Sequence, residues 1–88
     1  MDDDGSISLR ALGLAIRQRR DSIGVRADDV ALRCNTHRSY VYGLERGERN
    51  ISWRTLNRIA DVLDIGMSDL VAAAERIEAR GDAAPPPP

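Results

Sequence analysis

The sequence contains few aromatic residues and no phenylalanine. Its 88 residues include only one tryptophan, Trp53, and two tyrosines, Tyr40 and Tyr42. A core without phenylalanine must be built from leucine, isoleucine, valine and alanine, which suits short packed helices. A chain of this length forms a single small domain and buries only about 60% of the surface that its unfolded form exposes. We therefore expect one domain that a second subunit would stabilise further.

Cysteine, histidine and long apolar runs are also scarce or absent. The single cysteine, Cys34, excludes an internal disulfide and is typical of a reducing compartment. No apolar run approaches the roughly 18 residues of a membrane span, and no signal-peptide pattern opens the chain, so we expect a cytoplasmic protein without a membrane partner. One histidine, His37, and no pair of carboxylates placed for catalysis indicate a protein that is not an enzyme. The sequence suggests no metal, no cofactor and no small-molecule effector.

Lysine is absent, and all thirteen basic residues are arginine. The net charge is −1, but residues 5–66 hold eleven arginines against seven acidic residues, a local charge of +4. Arginine offers a planar fork that matches phosphates and the edge of guanine. A GC-rich genome would also favour arginine codons. The basic middle of the chain therefore supports nucleic-acid binding without establishing it.

Apolar residues recur at helical spacing in five short segments. The pattern predicts helices over residues 9–22, 27–33, 37–46, 53–63 and 69–80, with no strand. Four hydroxyl residues are expected to cap helices: Ser8, Thr36, Ser52 and Ser68. Four glycines are expected to end them: Gly24, Gly47, Gly66 and Gly81. Asn35 suits a left-handed turn between the second and third helices. Residues 1–6 are predicted to be a disordered acidic terminus, residues 7–80 the folded domain, and residues 81–88 a proline-rich tail.

The helical spacing also predicts which side chains face the core. In the first helix these are Leu9, Leu12, Ile16 and Ile23, with Ala15 and Arg19 filling the stripe. In the third they are Tyr40, Val41 and Leu44. In the fourth they are Trp53, Leu56, Ile59, Ala60 and Leu63. The fifth helix carries the stripe Leu70, Val71, Ala74 and Ile77.

Residues 37–50 combine a predicted helix with a dense set of polar side chains. Val41 and Leu44 would hold the helix on the core, whereas Arg38 and Tyr42 would face outward, and Gly43 would leave a bare spot beside them. Because this helix follows a short helix and a tight turn, the segment predicts the second helix of a helix-turn-helix.

The surrounding pattern runs through Leu12, Ile16-Arg17, Val30-Ala31, Ser39-Tyr40-Val41, Leu44-Glu45-Arg46-Gly47 and Ser68-Asp69-Leu70. In order and spacing, residues 9–70 resemble the lambda-repressor-like helix-turn-helix domain of the Cro/C1 (XRE) type. The resemblance implies an all-α, compact five-helix DNA-binding domain with the helix-turn-helix at helices 2 and 3. Three places depart from the family pattern. Ala27 stands where relatives commonly have glutamine, Asn35-Thr36 replaces the usual Gly-Val of the turn, and Gly43 stands where relatives often have a polar reader.

The resemblance also implies roles for individual residues. The N-terminal residues of the second helix of such a motif meet base edges in the major groove. Base readout is thereby assigned to Arg38, Ser39 and His37, with Arg38 as the main reader because arginine can pair bidentately with guanine. Contacts with the DNA backbone are expected from Tyr42, Arg46, Arg49, Asn50 and Ser52, and more weakly from Arg33 and Arg54. The family pattern further implies a structural ion pair between Arg20 and Glu45.

The resemblance predicts a sequence-specific transcriptional regulator whose partner is double-stranded DNA, similar to controller proteins of restriction–modification systems. We expect a homodimer on a palindromic operator, with Leu70, Val71, Ala74 and Ile77 at the dimer interface. The alternative for the fifth helix is that it merely completes the core. The alternative function is an antitoxin, or a phage or plasmid repressor, whose main partner is another protein.

Overall fold

The computed structural model describes residues 7–82, which form five α-helices and no strand. The helices are α1 (Leu9–Ser22), α2 (Ala27–Arg33), α3 (Arg38–Glu45), α4 (Trp53–Val62) and α5 (Met67–Arg80). The all-α, five-helix prediction is confirmed. The predicted disordered terminus at 1–6 and residues 83–88 of the predicted tail lie outside the described residues.

Helix α1 begins and ends where its local chemistry predicts. The Ser8 hydroxyl accepts a hydrogen bond from the Ala11 amide at 3.0 Å and satisfies one of the free donors of the first turn. Gly24 follows the helix with φ +73°, a conformation that glycine adopts without a Cβ penalty.

The turn between α2 and α3 depends on Asn35, which has φ +54° as predicted. Backbone hydrogen bonds close the turn, from the amide of Asn35 to the carbonyl of Leu32 at 3.2 Å and from that of Thr36 to Ala31 at 2.9 Å. The predicted capping role of Thr36 is wrong, because the N-cap residue of α3 is His37, whose side chain makes no capping hydrogen bond.

The connection between α4 and α5 differs from the prediction. Helix α4 ends at Val62, and Asp64 rather than Gly66 adopts the left-handed conformation, with φ +54°. Aspartate tolerates this conformation, and Arg19 stabilises the turn by donating to the carbonyls of residues 63 and 64 at 2.9 and 2.7 Å. Gly66 is therefore free to serve as the N-cap of α5, which places Ser68 inside the first turn instead of at the cap.

The core is aliphatic and centres on α1 and α5, as the absence of phenylalanine implies. Its most deeply buried large side chains are Ile16, Val30, Val41, Ile59, Leu63, Leu70 and Ile77. In α1 the buried residues include the small side chains of Ala11 and Ala15, whereas the predicted core residues Leu9 and Ile23 are 37% and 38% exposed. Small residues in α1 let the neighbouring helices approach closely.

The closest approach is made at Gly13, where α1 crosses the end of α3. A Cβ atom at Gly13 would clash with the carbonyl oxygen of Leu44 and would lie 2.6 Å from that of Glu45. Gly47, which follows the C-cap residue of α3, similarly packs against the backbone of Arg10 and has φ +75°. These two glycines fix the distance between α1 and the end of α3.

Helix α5 uses its apolar stripe within the chain itself. Leu70 and Ala74 are 0% exposed and Ile77 is 1% exposed, so their side chains offer no surface to a second subunit. The predicted dimer interface is therefore wrong for these three residues, because α5 packs them into the core with α1. Val71 remains half-buried at the surface.

Trp53 corrects the predicted inward face of α4. Its side chain is 71% exposed at the first position of the helix, directly after the cap at Ser52. Trp53 borders an apolar groove of about 260 Å³ that we call the Trp53 groove. The groove is lined by Ile7, Ser8, Leu9, Leu12, Ile51, Trp53, Leu56 and Val71.

Candidate nucleic-acid interface

Helix α3 is mounted on the core by one face and exposes the other. Val41 and Leu44 are 1% and 3% exposed, and Val30 and Ala31 of α2 pack in the same core cluster. This arrangement joins α2 and α3 into one rigid unit through the Asn35 turn. The described residues thus contain a helix-turn-helix whose second helix has a free outward face.

The ion pair between Arg20 and Glu45 anchors the end of α3 to α1, as the family pattern implied. The guanidinium forms a bidentate contact, with Nε 2.6 Å from Oε2 and Nη2 3.0 Å from Oε1. The Arg20 side chain is 12% exposed and that of Glu45 only 4%, so the pair is largely excluded from water. The hydrogen bond to Glu45 raises the pKa of Arg20 although burial opposes it, which keeps the guanidinium charged.

A third hydrogen bond makes Arg20 a junction between helices. Its Nη1 donates to the carbonyl of Val25 at 3.2 Å, in the segment that leads into α2. One arginine therefore connects α1, the start of α2 and the end of α3. This geometry holds the two helices of the motif in a fixed relation to the rest of the domain.

The three candidates for base readout lie together at the start of α3. His37 is the N-cap residue, and Arg38 and Ser39 are the first two residues of the helix. All three are exposed, and the Arg38 side chain has 71% of its surface free. Nη1 of Arg38 lies 3.8 Å from Oδ1 of Asp28 in α2.

The middle of the outward face differs from the prediction of a bare glycine. Tyr42 is 42% exposed, but Gly43 is buried. The stem of Arg49 covers Gly43, since a Cβ there would lie 3.0 Å from Cγ of Arg49. The Arg49 guanidinium lies 5.9 Å from the ring centre of Tyr40, at cation–π distance, and this ring is only partly buried.

The loop after α3 presents further polar groups. Arg46 is exposed and pairs with Glu48 at 3.0 Å, an exposed contact that DNA phosphates could replace. Asn50 is exposed, as are Arg33 on α2 and Arg54 on α4.

The Ser52 hydroxyl is engaged in the cap of α4. The hydroxyl accepts from the Thr55 amide at 3.1 Å and donates to the Thr55 hydroxyl at 2.9 Å. A phosphate contact at Ser52 would therefore use the free amides at the start of α4.

Three residues near this surface were not among the sequence-based candidates. Arg17 of α1 lines a depression of about 310 Å³ together with Tyr42 and Arg46. Arg26 and Asp28 line a second depression of about 340 Å³ beside Arg38. The three-residue spacing of Arg17 and Arg20 on one helix face could have identified Arg17, but the proximity of α2 to Arg38 is a tertiary feature.

Cys34 lies behind α3 rather than on it. It is 9% exposed and lines a depression of about 220 Å³ between α3 and α4 with Tyr40 and Arg58. Burial raises the pKa of its thiol, and the Arg58 charge opposes that shift only in part, so the thiol is protonated at neutral pH. In the part of the chain that is described, no three acidic, histidine or cysteine side chains are grouped to hold a metal.

Residues 7–82 include no helix that is both long and apolar enough to cross a membrane.

Comparison with known proteins agrees with this geometry. A family model described as a helix-turn-helix domain matches residues 11–74. Control protein C.BamHI of Bacillus amyloliquefaciens is 32% identical over 60 residues, which cover 67% of this chain and 74% of that protein.

Solved structures show the same arrangement of helices. The restriction-modification controller protein C.AhdI from Aeromonas hydrophila superposes with a TM-score of 0.67 at 35% identity, covering 70% of this chain and 94% of its own. The clp gene regulator ClgR from Corynebacterium glutamicum superposes with a TM-score of 0.73 at 29% identity, covering 75% and 86% respectively. The chain therefore belongs to the lambda-repressor-like, XRE-type helix-turn-helix family of DNA-binding regulators and is similar to restriction–modification controller proteins.

Proposed function

We propose that this protein is a cytoplasmic controller-type transcriptional regulator that binds a palindromic operator as a homodimer. The observation that carries the proposal is the exposed start of α3, where His37, Arg38 and Ser39 project from a helix that the Arg20–Glu45 pair holds in place. The similarity to a control protein and to a restriction-modification controller supports the controller role. The helix-turn-helix family to which the chain belongs binds DNA, so we take DNA as the partner that these side chains contact.

In this proposal α3 enters the major groove with its N-terminus toward the bases. Arg38 reads guanine through O6 and N7, while Ser39 and His37 contact a neighbouring base or phosphate. Tyr42, Arg46, Arg49, Asn50, the start of α4 at Ser52, and Arg33 contact the sugar–phosphate backbone. These contacts fix the register of the protein and carry no sequence information of their own.

The burial of the α5 stripe moves the proposed dimer interface to the Trp53 groove. Leu9 is 37% exposed and Trp53 71% exposed at this surface, and Val71 of α5 also borders it. A protruding tryptophan beside an apolar groove is self-complementary, because a two-fold axis can place the Trp53 of each subunit in the groove of the other. We therefore assign the interface to the Trp53 groove, with a second copy of this chain as its occupant.

The position of this groove also supports readout of a palindrome. Ile51 and Trp53 line the groove and stand on either side of Ser52 in the sequence, and Ile51 directly follows Asn50. Asn50 and Ser52 are both proposed contacts with the DNA backbone. A two-fold axis near these residues would place both α3 helices on the same side of the dimer. Two such helices read half-sites about one helical turn apart, which is about 34 Å of DNA.

Selection of binding sites from random double-stranded DNA, with the full chain at fixed salt, tests the proposal. We expect an enriched inverted repeat whose half-site centres are about 10 base pairs apart, and a complex of two chains per site by sedimentation. Enrichment of a single asymmetric half-site by one chain would contradict the homodimer. Absence of any enriched sequence would contradict specific DNA binding and favour a regulator whose main partner is another protein.

A further inference from the structure

A carboxylate lies next to the arginine that we propose as the main base reader. Asp28 is the second residue of α2, and its Oδ1 lies 3.8 Å from Nη1 of Arg38. Its other oxygen, Oδ2, lies 3.9 Å from Nη2 of Arg26. Both partners of the Asp28–Arg38 pair remain accessible, with 47% of the Asp28 side chain and 71% of the Arg38 side chain exposed.

Asp28 lies on the same surface as the proposed base reader. Asp28 and Arg38 line the same depression between the end of α1, the start of α2 and the outward face of α3, together with Tyr42. A carboxylate at this surface repels DNA phosphates, so it weakens binding to any sequence. Asp28 therefore opposes general affinity at the site where the proposed reader lies.

We infer that Asp28 is a positioning residue that sets the specificity of Arg38. The carboxylate attracts one side of the guanidinium and leaves the other nitrogens free to pair with guanine O6 and N7. It also limits the ability of Arg38 to turn toward a phosphate of an unrelated sequence. The inference rests on the proposed function, because it requires that Arg38 reads a base.

The expected effect follows from the geometry of the pair. The distance of 3.8 Å and the exposure of both side chains correspond to a surface ion pair. Such pairs change an equilibrium by about two- to five-fold. Loss of the Asp28 charge should therefore tighten binding to unrelated DNA and reduce the ratio of operator affinity to unrelated affinity by about two- to five-fold.

Equilibrium binding by the full chain to three duplexes tests this inference. The duplexes are the selected operator, the operator with the guanine read by Arg38 replaced, and an unrelated sequence of equal length. The variant is Asp28→Asn, and the matched control is Asp29→Asn, the adjacent exposed acid of α2. The Asp29 carboxylate accepts from the Arg26 amide at 3.4 Å instead of facing Arg38, and asparagine can retain that bond. Thermal unfolding of each variant verifies that the fold is intact.

We expect Asp28→Asn to lower the discrimination of the operator against both other duplexes, whereas Asp29→Asn should tighten binding to all three by a similar factor. In an Arg38→Ala background, Asp28→Asn should no longer change discrimination, because the two side chains act as one unit. An equal effect of the two asparagine variants, or an effect of Asp28→Asn that persists without Arg38, would overturn the inference. If the unmodified chain itself does not discriminate between the operator and unrelated DNA, the proposed function fails first, and the inference fails with it.

Discussion

Replacement of Glu45 by glutamine should destabilise the domain far more than an exposed Glu→Gln change. The substitution preserves the size of the side chain but removes the buried counter-charge of the Arg20 guanidinium, whose side chain is only 12% exposed. It leaves Arg20 only the exposed carboxylate of Asp21, with Oδ1 3.6 Å from Nη1. Removal of one partner from a buried ion pair costs about 3–5 kcal/mol. Since Arg20 keeps the contact with Asp21, its hydrogen bond to the Val25 carbonyl at 3.2 Å and some contact with water, we expect the lower end, about 3 kcal/mol.

This loss is large relative to the stability of such a domain. A chain of 88 residues is stable by about 4–13 kcal/mol at typical values per residue. Urea denaturation followed by circular dichroism at fixed protein concentration measures the change as a shift in midpoint at constant slope. Fixed concentration matters because a dimer gains stability by mass action.

Glu48→Gln is the matched control for this experiment. Glu48 lies three residues further along the chain and pairs with Arg46 at 3.0 Å, but both side chains are about 60% exposed. Its loss should cost less than about 1 kcal/mol. If Glu45→Gln also costs less than about 1 kcal/mol, the Arg20–Glu45 pair does not anchor α3, and the reasoning is refuted.

Three further predictions concern packing, pH and assembly. Gly13→Ala should destabilise the domain by about 1–3 kcal/mol, since the new methyl group meets backbone carbonyls of α3 that cannot move aside. An unchanged midpoint of thermal unfolding would contradict this close approach. Hydrogen bonds from Ser8 lower the pKa of Glu78 below its usual 4.5, so the stabilisation is present above pH 4.5 and is lost as the pH falls through the lowered value. Glu78→Gln should therefore flatten the loss of stability below pH 4.5 in acid titration, and an unaltered profile would contradict the contribution of this bond. Trp53→Asp should shift sedimentation toward the monomer. The control Leu32→Asp should not, because Leu32 is 80% exposed and lies outside the Trp53 groove. A dimer that persists in Trp53→Asp would place the interface elsewhere.

Local chemistry was sufficient to predict much of the first half of the fold. The bounds of α1 follow from the Ser8 cap and from Gly24, and the turn before α3 follows from the tolerance of Asn35 for a positive φ. These features depend on residues within one turn of each other. They can therefore be recognised without knowledge of the tertiary structure.

The errors concern contacts between distant parts of the chain. Periodicity identified the apolar stripe of α5 but could not tell whether Leu70 and Ile77 pack inside the chain or against a second subunit. The answer depends on the small residues of α1, such as Ala11 and Ala15, which allow α5 to pack closely within one chain. Likewise, Gly66 and Ser68 could each stand at the N-terminus of α5. Gly66 is the N-cap because the chain turns earlier, at Asp64, where Arg19 donates a hydrogen bond to the carbonyl.

The candidate site was predictable in its main elements and not in its detail. The exposed position of Arg38 and the pair between Arg20 and Glu45 were implied by the family pattern. The packing of Arg49 over Gly43 was not, because it requires the loop after α3 to fold back along the helix. Asp28 was also missed, since its proximity to Arg38 arises from the angle between α2 and α3.

The contribution of Arg38 to base recognition tests the central claim most directly. Binding free energies of the unmodified chain, of Arg38→Ala and of the control Arg76→Ala should be measured on the selected operator and on each single-base-pair variant of it. Arg76 is an exposed arginine on α5, outside the helix-turn-helix, and its removal changes the net charge equally. We predict that Arg38→Ala costs about 1–3 kcal/mol on the operator and abolishes the preference at one base pair in each half-site, while Arg76→Ala preserves every preference. A base preference profile that is identical for the unmodified chain and for Arg38→Ala would contradict the assignment of α3 as the helix that reads DNA through Arg38.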